Sequence, residues 1–274
     1  MNKQDKLTLR EAQLESYKVL KKIIDICNKN KWKYFLMYGS LIGAVRHKGI
    51  IPWDDDIDIM MPRPDYEKFK KYFIDNAEKL KPLKLFDKDL VSDYPHMIMR
   101  ISNQEYHLVF DNEKDYGIGV FVDVYPLDGV GNNYDEAKKL LNRTKRLASL
   151  CFLTSRKSFG VDNTKSKLKI IIKFPAYIWA KLMGNNHYYK KLNRISKKYS
   201  FDSSKFVACA VWPESVKLIS EKEILETYET EFEDSKAAIP KEYDKLLTIL
   251  YGDYMTPPSE KGKKTNHTYD AYRL

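Results

Sequence analysis

Four aspartates fall within five positions of this chain, at the entry to a stretch that is otherwise apolar. They are Asp54, Asp55, Asp56 and Asp58, and the segment at 57–61 contains only isoleucine and methionine apart from Asp58. Alternation with a period of two predicts a strand that turns Asp56 and Asp58 to one face and the isoleucines to a core. Crowded carboxylates beside a core repel one another unless a cation neutralises them. The pattern therefore predicts a divalent-cation site, and oxygen ligands suit Mg²⁺ or Mn²⁺ better than zinc.

Two other structures would also place aspartates at alternate positions. A helix–loop–helix calcium site requires Gly at its sixth position and Glu at its twelfth, where this chain has Ile59 and Asp65. A solvent-exposed acidic turn would not alternate into an apolar run. We therefore favour the strand-edge cation site over both alternatives.

Two further segments carry polar residues out of predicted strands. Upstream, an apolar strand at 34–38 runs into Gly39 and Ser40 and then into a short helical stretch. Glycine lets a phosphate approach the backbone there, and a helix start supplies N–H donors. Downstream, Asp123 interrupts a β-branched and aromatic strand at 120–125, where a carboxylate needs a partner unless the strand lies at an edge with Asp123 in solvent.

The net charge of +10 is unevenly distributed. The segment 138–200 has 17 Lys and Arg residues and one acid, a net +16, which leaves −6 (10 minus 16) for the rest. Within it, 170–183 is apolar but shorter than the roughly 20 residues that span a bilayer. We predict a basic helical insert that either packs on the rest of the fold or lies on an anionic membrane surface. It lacks the interleaved aromatic and glycine pattern of single-strand binders, so we expect no nucleic-acid partner.

The cysteines and the first residues indicate a compartment. Cys27, Cys151 and Cys209 are widely spaced in apolar settings, which predicts buried free thiols rather than disulfides or a zinc site. Residues 1–6 lack an apolar signal core. We expect a cytoplasmic protein, with the basic insert as the part that would touch the inner face of the plasma membrane.

The length and the succession of predicted helices and strands indicate an α+β fold. We divide the chain into a catalytic core at 1–134, the basic helical insert at 135–200 and a segment at 201–274 that completes the catalytic domain. Helices are predicted at 9–30, from Pro64 onward and at 241–251. Strands are predicted at 83–87, 96–102, 119–125, 206–212 and 216–220, and no element is predicted beyond residue 261.

Three motifs together resemble one protein family. They read YGSLIGAVRHKGIIPWDDDIDIMMPRPDYEKF from residue 38, GVFVDVYPLDGV from 119 and LYGDYMTPPSEKGKKTNH from 250. They resemble the LicD family, which includes bacterial phosphocholine transferases and is related to fukutin-related proteins. The resemblance implies a nucleotidyltransferase-like mixed sheet flanked by helices, with Gly39 and Ser40 in its glycine-rich turn. It implies that Asp56, Asp58 and Asp123 are the catalytic, metal-binding carboxylates.

The family reaction that the resemblance implies uses a CDP-linked donor, most closely CDP-choline. A hydroxyl of a cell-surface glycan or its lipid-linked precursor attacks, as in teichoic acid, lipopolysaccharide or capsule, and CMP leaves. Asp123 is our candidate for accepting the proton. Three alternatives stay open: transfer of ribitol or glycerol phosphate, a nucleotidyltransferase that releases pyrophosphate, and a basic binding module without enzymatic activity.

Further residues of these segments are candidates for binding the substrates. Arg46 suits phosphate oxygens, although it would equally cap the preceding helix. His47 is a candidate base or a solvent-exposed turn residue. Trp53 suits stacking on cytosine or contact with choline methyl groups, with a place in the core wall as its alternative. Asp55 matches a signature position, and Arg100 is predicted to face the same cleft.

Overall fold

A computed structural model describes residues 6–91, 94–159, 167–263 and 269–274, with the backbone alone at 167–173 and 261. The helices are α1 (Leu9–Asn30), α2 (Tyr38–Ile42), α3 (Arg63–Asp75), α4 (Tyr134–Ser155), α5 (Lys167–Met183), α6 (Asn185–Ser196) and α7 (Tyr243–Tyr251). The strands are β1 (Phe35–Leu36), β2 (Asp58–Pro62), β3 (Leu83–Phe86), β4 (Met99–Asn103), β5 (Tyr106–Phe110), β6 (Val120–Gly131), β7 (Phe206–Ala208), β8 (Ser220–Glu221), β9 (Thr227–Phe232), β10 (Ser235–Pro240) and β11 (Tyr269–Arg273).

The main sheet is mixed and is organised around β6. Its order is β1-β2-β6-β4-β3, with β7 added to the far end of β6 and β8 to β7. Strand β2 runs parallel to β6, whereas β4 and β7 run antiparallel to it. The sheet curls because β6 is 12 residues long and pairs with different strands along its length. The predicted α+β class is confirmed, and the nucleotidyltransferase-like topology stays a prediction from the resemblance.

Helix α1 has the predicted bounds because strong local signals define both of its ends. The Thr8 side chain accepts from the backbone of Glu11, and the Glu11 side chain returns the contact to Thr8, which forms a capping box. At the other end Lys31 adopts the left-handed conformation, with φ of 55°. Between these ends, apolar residues at helical spacing pack α1 against β4 and β6.

Strand β2 is shorter than predicted, because it begins at Asp58 and Asp56 lies in the loop before it. This loop is braced from two distant parts of the chain. The side-chain amide of Gln13 on α1 donates to the carbonyl oxygen of Asp54 at 2.6 Å, and the Tyr269 hydroxyl on β11 donates to that of Asp55. Hydrogen bonds from α1 and β11 therefore hold this acidic loop at 54–57, where we had predicted part of a strand.

A buried ion pair ties α3 to the sheet. Arg63 lies at the start of α3, and its Nε donates to Asp128 Oδ1 on β6 at 2.7 Å. The second oxygen of Asp128 accepts the N–H of Ala210 at 3.1 Å. Both oxygens of this carboxylate are therefore used inside the fold.

The basic insert is helical, as predicted, and consists of α4, α5 and α6. Helix α4 packs against α6, α5 and β6. Along α5, Phe174, Ile178, Trp179 and Leu182 are exposed. Within the described ranges, we find no helix that combines the length and the apolar character needed to cross a bilayer.

The C-terminal part differs from the prediction in four places. Strand β7 ends at Ala208, although the predicted strand continued to residue 212. Strand β11 pairs with β5, although no element was predicted beyond residue 261. The β9–β10 hairpin was also missed. The predicted strand at 216–220 is instead a short 3-10 turn followed by the two-residue β8. Strand β8 has only two residues, β9 is rich in polar residues, and β11 pairs with the distant β5, so local periodicity carries little signal for them.

All three cysteines are buried free thiols, as predicted. Burial raises the pKa of Cys27, Cys151 and Cys209 to about 12 in each case. They are therefore protonated and unreactive inside the fold near neutral pH.

Candidate active site

Three charged residues form a row across the centre of the sheet. Asp58 on β2 is directly opposite Asp123 on β6, which is directly opposite Arg100 on β4. Arg100 Nε donates to Asp123 Oδ1 at 2.7 Å, and Nη2 donates to Oδ2 at 3.2 Å. Asp123 is 3% exposed, so its alternative placement in solvent on an edge strand is wrong.

Burial opposes the charge of Arg100, but the Asp123 carboxylate holds the pKa of Arg100 above its ordinary value. The guanidinium also lies over the Phe121 ring, 4.2 Å from its centroid. This pair fixes the orientation of the Asp123 side chain.

Asp58 is held by its backbone and has an unpaired side-chain oxygen. Its N–H donates to Ser40 Oγ at 2.8 Å. Among the described residues, Asp58 Oδ1 is buried and has no hydrogen-bond partner. Burial, then Asp56 and Asp123, raise the pKa of Asp58 well above its ordinary value. A buried oxygen without a donor, surrounded by other carboxylates, fits a divalent cation.

The acidic loop closes against the start of α2. Asp54, Asp55 and Asp56 each offer a carboxylate oxygen, and these oxygens lie within 4.8 Å of one another. A Cβ atom on Gly39 would lie 2.4 Å from Asp54 Oδ2, so only glycine permits this approach. Tyr38, the first residue of α2, has a φ of 52°, a strained value for a residue with a side chain.

A cavity of about 530 Å³, here the first cavity, lies in front of these acids. Its acidic wall consists of Asp54, Asp56, Asp58, Glu214 and Asp253. Its aromatic wall consists of Tyr38, Trp53, Tyr125, Trp212, Tyr251 and Tyr254. The combination suits a ligand that brings cationic charge, either as a metal ion on a diphosphate or as an ammonium group.

A neighbouring cavity of about 270 Å³, here the second cavity, lies on the other side of Asp56. Asp56, Tyr125 and Trp212 line both cavities. Asp123 and Arg100 line the second cavity. The row of charged residues therefore lies where two binding spaces meet.

Arg46 and Trp53 lie together at the rim of the first cavity, with His47 behind them. Arg46 Nη1 donates to the Tyr254 carbonyl oxygen at 2.5 Å, and its Nε donates to His47 Nε2 at 2.9 Å. Burial and the Arg46 charge lower the pKa of His47. The Trp53 ring is half-buried, with Lys263 Nζ 5.0 Å from its centroid. His47 is therefore a neutral acceptor for Arg46, and Trp53 is part of the wall of the first cavity.

The predicted residues divide between the two cavities. The first cavity includes Gly39, Arg46, Trp53, Asp56 and Asp58. The second includes Asp56, Arg100 and Asp123. Ser40, His47 and Asp55 are not among the lining residues of either cavity. Their roles, like those of the lining residues, stay predictions.

Several residues of these cavities were not predicted as site residues. Tyr251, Asp253 and Tyr254 lie within the C-terminal motif, so the resemblance contained a signal that we did not assign to individual residues. Trp212 and Arg156 had no such signal, because nothing in their local sequence indicates that they approach the acidic loop.

Comparison with known proteins relates these features to a family. Residues 31–145 match the family model described as LicD/FKTN/FKRP, nucleotidyltransferase domain. The chain is 29% identical over 276 residues to the lipopolysaccharide cholinephosphotransferase LicD of Haemophilus influenzae, covering 98% of this chain and 99% of that protein. An uncharacterised protein of Rickettsia typhi is 27% identical over 143 residues, 44% of this chain and 40% of its own. One of Rickettsia prowazekii is 46% identical over 52 residues, 19% of this chain and 20% of its own.

Proposed function

Because this chain belongs to the LicD family, we propose that it transfers phosphocholine from CDP-choline to a hydroxyl group of a cell-surface glycan or its lipid-linked precursor. The observation that carries the proposal is the nearly full-length similarity to a protein named for cholinephosphate transfer in lipopolysaccharide. Because that relative is named for lipopolysaccharide, we propose lipopolysaccharide as the first acceptor to test.

The geometry supports a transfer between two substrates. Such a reaction requires the donor phosphorus and the acceptor hydroxyl to meet at one place in a fixed orientation. The first cavity has the volume to hold a CDP-alcohol, and the second opens from the same carboxylate, Asp56. We therefore assign the donor to the first cavity.

In the proposed step, the acceptor hydroxyl oxygen forms a bond to the phosphorus that carries choline. The bond from that phosphorus to the bridging oxygen of the diphosphate breaks, and CMP leaves with this oxygen. The hydroxyl proton passes to a carboxylate. Asp123 is our candidate because it lines the second cavity and Arg100 holds its orientation.

Asp56, Asp58 and Asp123 are the proposed ligands of Mg²⁺ or Mn²⁺. The unpaired Asp58 Oδ1 is the oxygen that a cation would satisfy. Each Asp123 oxygen accepts one hydrogen bond from Arg100 and keeps a further lone pair. When bound, the ion neutralises charge on the diphosphate and on the leaving oxygen.

A binding panel tests the proposal. The full chain is heated with Mg²⁺ and, separately, CDP-choline, CDP-ribitol, CDP-glycerol, CTP or ATP. We expect CDP-choline to raise the melting temperature in a Mg²⁺-dependent way, since a ligand at about 100 times its dissociation constant stabilises by roughly 2.7 kcal/mol. If only CDP-ribitol or only CDP-glycerol raises the melting temperature, the transferred group is the phosphate of that alcohol and not phosphocholine. A response to triphosphates alone would indicate a nucleotidyltransferase.

Two variants separate the metal site from general charge effects. Asp58→Asn should abolish both the Mg²⁺-dependent stabilisation and CMP release from CDP-choline. Asp75→Asn is the matched control, since Asp75 forms an exposed pair with Lys71 on α3. Undiminished CMP release by Asp58→Asn would contradict the assignment of the carboxylates.

We also propose that the exposed face of α5 lies on an anionic membrane surface. Trp179 and Leu182 are 63% and 77% exposed, within a segment whose net charge is +16 at 138–200. An apolar face with an aromatic residue in a basic segment matches lipid of negative charge. Trp179→Ser with Leu182→Ser should reduce co-sedimentation with phosphatidylserine vesicles. Ile74→Ser, at a residue 45% exposed on α3, is the control and should not.

A further inference from the structure

The second cavity differs in chemistry from the first because its charges are paired within its own walls. Arg100 is paired with Asp123, as described above. Arg156 Nη1 lies 3.5 Å from Glu113 Oε1, and His96 Nε2 lies 3.5 Å from Glu113 Oε2. Burial and then Arg100 lower the pKa of His96, which favours the neutral ring. Apart from Asp56 at the junction, the walls present polar groups without a large excess of either charge, which suits a neutral polar ligand.

Aromatic rings form the other walls of this cavity. Phe110, Tyr125, Phe152 and Trp212 all line it, and the Phe152 and Trp212 rings meet edge to face with centroids 5.7 Å apart. A pyranose ring has an apolar C–H face and a rim of hydroxyl groups. Aromatic side chains cover the C–H face of such a ring, and planar polar side chains such as arginine bind its hydroxyl groups.

Arg156 lines this cavity and carries an unsatisfied donor. Within the described ranges, its Nε is buried and has no hydrogen-bond partner. Its guanidinium lies over the Phe152 ring, 4.4 Å from the centroid, so the donor is held in place. A buried donor without an acceptor is unfavourable, and a ligand oxygen would relieve it.

The size and the position of the cavity restrict its ligand further. A volume of about 270 Å³ lies just below the range that holds whole drug-sized ligands, so there is room for one sugar ring and not for a nucleotide. Asp123 and Asp56 lie in its wall, where a hydroxyl of the ligand would meet the reacting centre. Phe152 lies on α4 and Arg156 follows its last residue, so the basic insert contributes one side of the cavity.

We propose that the second cavity binds one neutral pyranose ring of the acceptor glycan. The Arg156 guanidinium donates to an oxygen of this ring, Phe152 and Trp212 cover its C–H face, and one hydroxyl faces Asp123. The insert helix α4 is then part of the acceptor site. This assignment rests on the proposed function only in calling the bound sugar an acceptor, because the sugar-binding site is inferred from the cavity itself.

Saturation-transfer NMR on the full chain, without donor or metal, tests the site. The probes are methyl α-D-glucopyranoside, methyl β-D-galactopyranoside and N-acetyl-D-glucosamine. We expect signal transfer to at least one of them. Arg156→Met should raise its dissociation constant about three- to tenfold, as expected for the loss of one hydrogen bond. Arg146→Met, at an exposed arginine of α4, should bind like the wild type.

Phe152→Leu provides a second variant in case Arg156→Met does not fold, and circular dichroism checks the fold of each. It should also weaken sugar binding while leaving the stabilisation by CDP-choline unchanged. Absence of signal from every probe, or unchanged binding in both variants, would overturn the sugar site. Sugar binding without any response to CDP-alcohols would retain the site and reject the proposed transfer reaction. Stabilisation by CDP-choline without sugar binding would retain the proposed transfer reaction and reject the sugar site.

Discussion

The Arg100–Asp123 pair permits a quantitative test of how the site is built. Both residues are 3% exposed, and two hydrogen bonds of 2.7 and 3.2 Å join them. Removing one partner of such a pair leaves a buried charge without its counterion, which typically lowers stability by about 3–5 kcal/mol. Arg100→Met and Asp123→Asn should each have an effect of this size. The double variant removes both charges. Its loss of unfolding free energy should therefore be smaller than the sum of the losses in the two single variants, by about 2 kcal/mol or more.

The assay is urea unfolding at pH 7.5 with EDTA, so that no cation compensates a buried carboxylate that has lost its counterion. Coincidence of far-UV circular dichroism with tryptophan fluorescence checks that a single transition is measured. The same cycle on the exposed pair, with Lys71→Met and Asp75→Asn, is the control and should show a coupling of about 0.3–0.5 kcal/mol. If the coupling of the buried pair is no larger than this, Arg100 is not the counterion that holds Asp123, and our account of the charged row is refuted.

Three further outcomes are expected. Asp128→Ala should lower the free energy of unfolding by about 3 kcal/mol or more, because it strands a buried arginine, whereas Asp75→Ala should change it by less than about 0.5 kcal/mol in the same urea assay. Burial opposes the charge of Glu113, but hydrogen bonding with His96 lowers its pKa to about 2 from 4.5. The charged Glu113 therefore stabilises the fold above pH 4.5, and this contribution is lost as the pH falls towards 2. Glu113→Gln should lower the free energy of unfolding by up to roughly 3 kcal/mol at pH 7 and by much less at pH 3. A difference between variant and wild type that stays constant with pH would contradict this account. Gly39→Ala places a methyl group where a carboxylate of the acidic loop lies, and it should reduce CMP release about tenfold or more with little change in circular dichroism, because small displacements of reacting groups are costly.

Features that depend on neighbouring residues were predictable from the sequence. The capping box and apolar spacing of α1 give the helix its predicted bounds at Leu9–Asn30. The excess of lysine and arginine marked the helical insert, and the acidic motif marked the edge of β2. In each case the physical cause, a hydrogen bond, a periodicity or a charge density, acts within a few residues along the chain.

Features that depend on which strands become neighbours required the tertiary structure. Asp123 is 23 residues from Arg100 in the chain, yet their strands are adjacent and the two side chains form a buried pair. The second cavity likewise combines the end of α4 with the acidic loop, and Trp212 closes both cavities from a segment that had no motif. The types and the spacing of the side chains in the sequence indicate which charges need partners. Only the register of the sheet and the packing of the insert decide which partner each charge receives, because these contacts depend on how distant segments fold together.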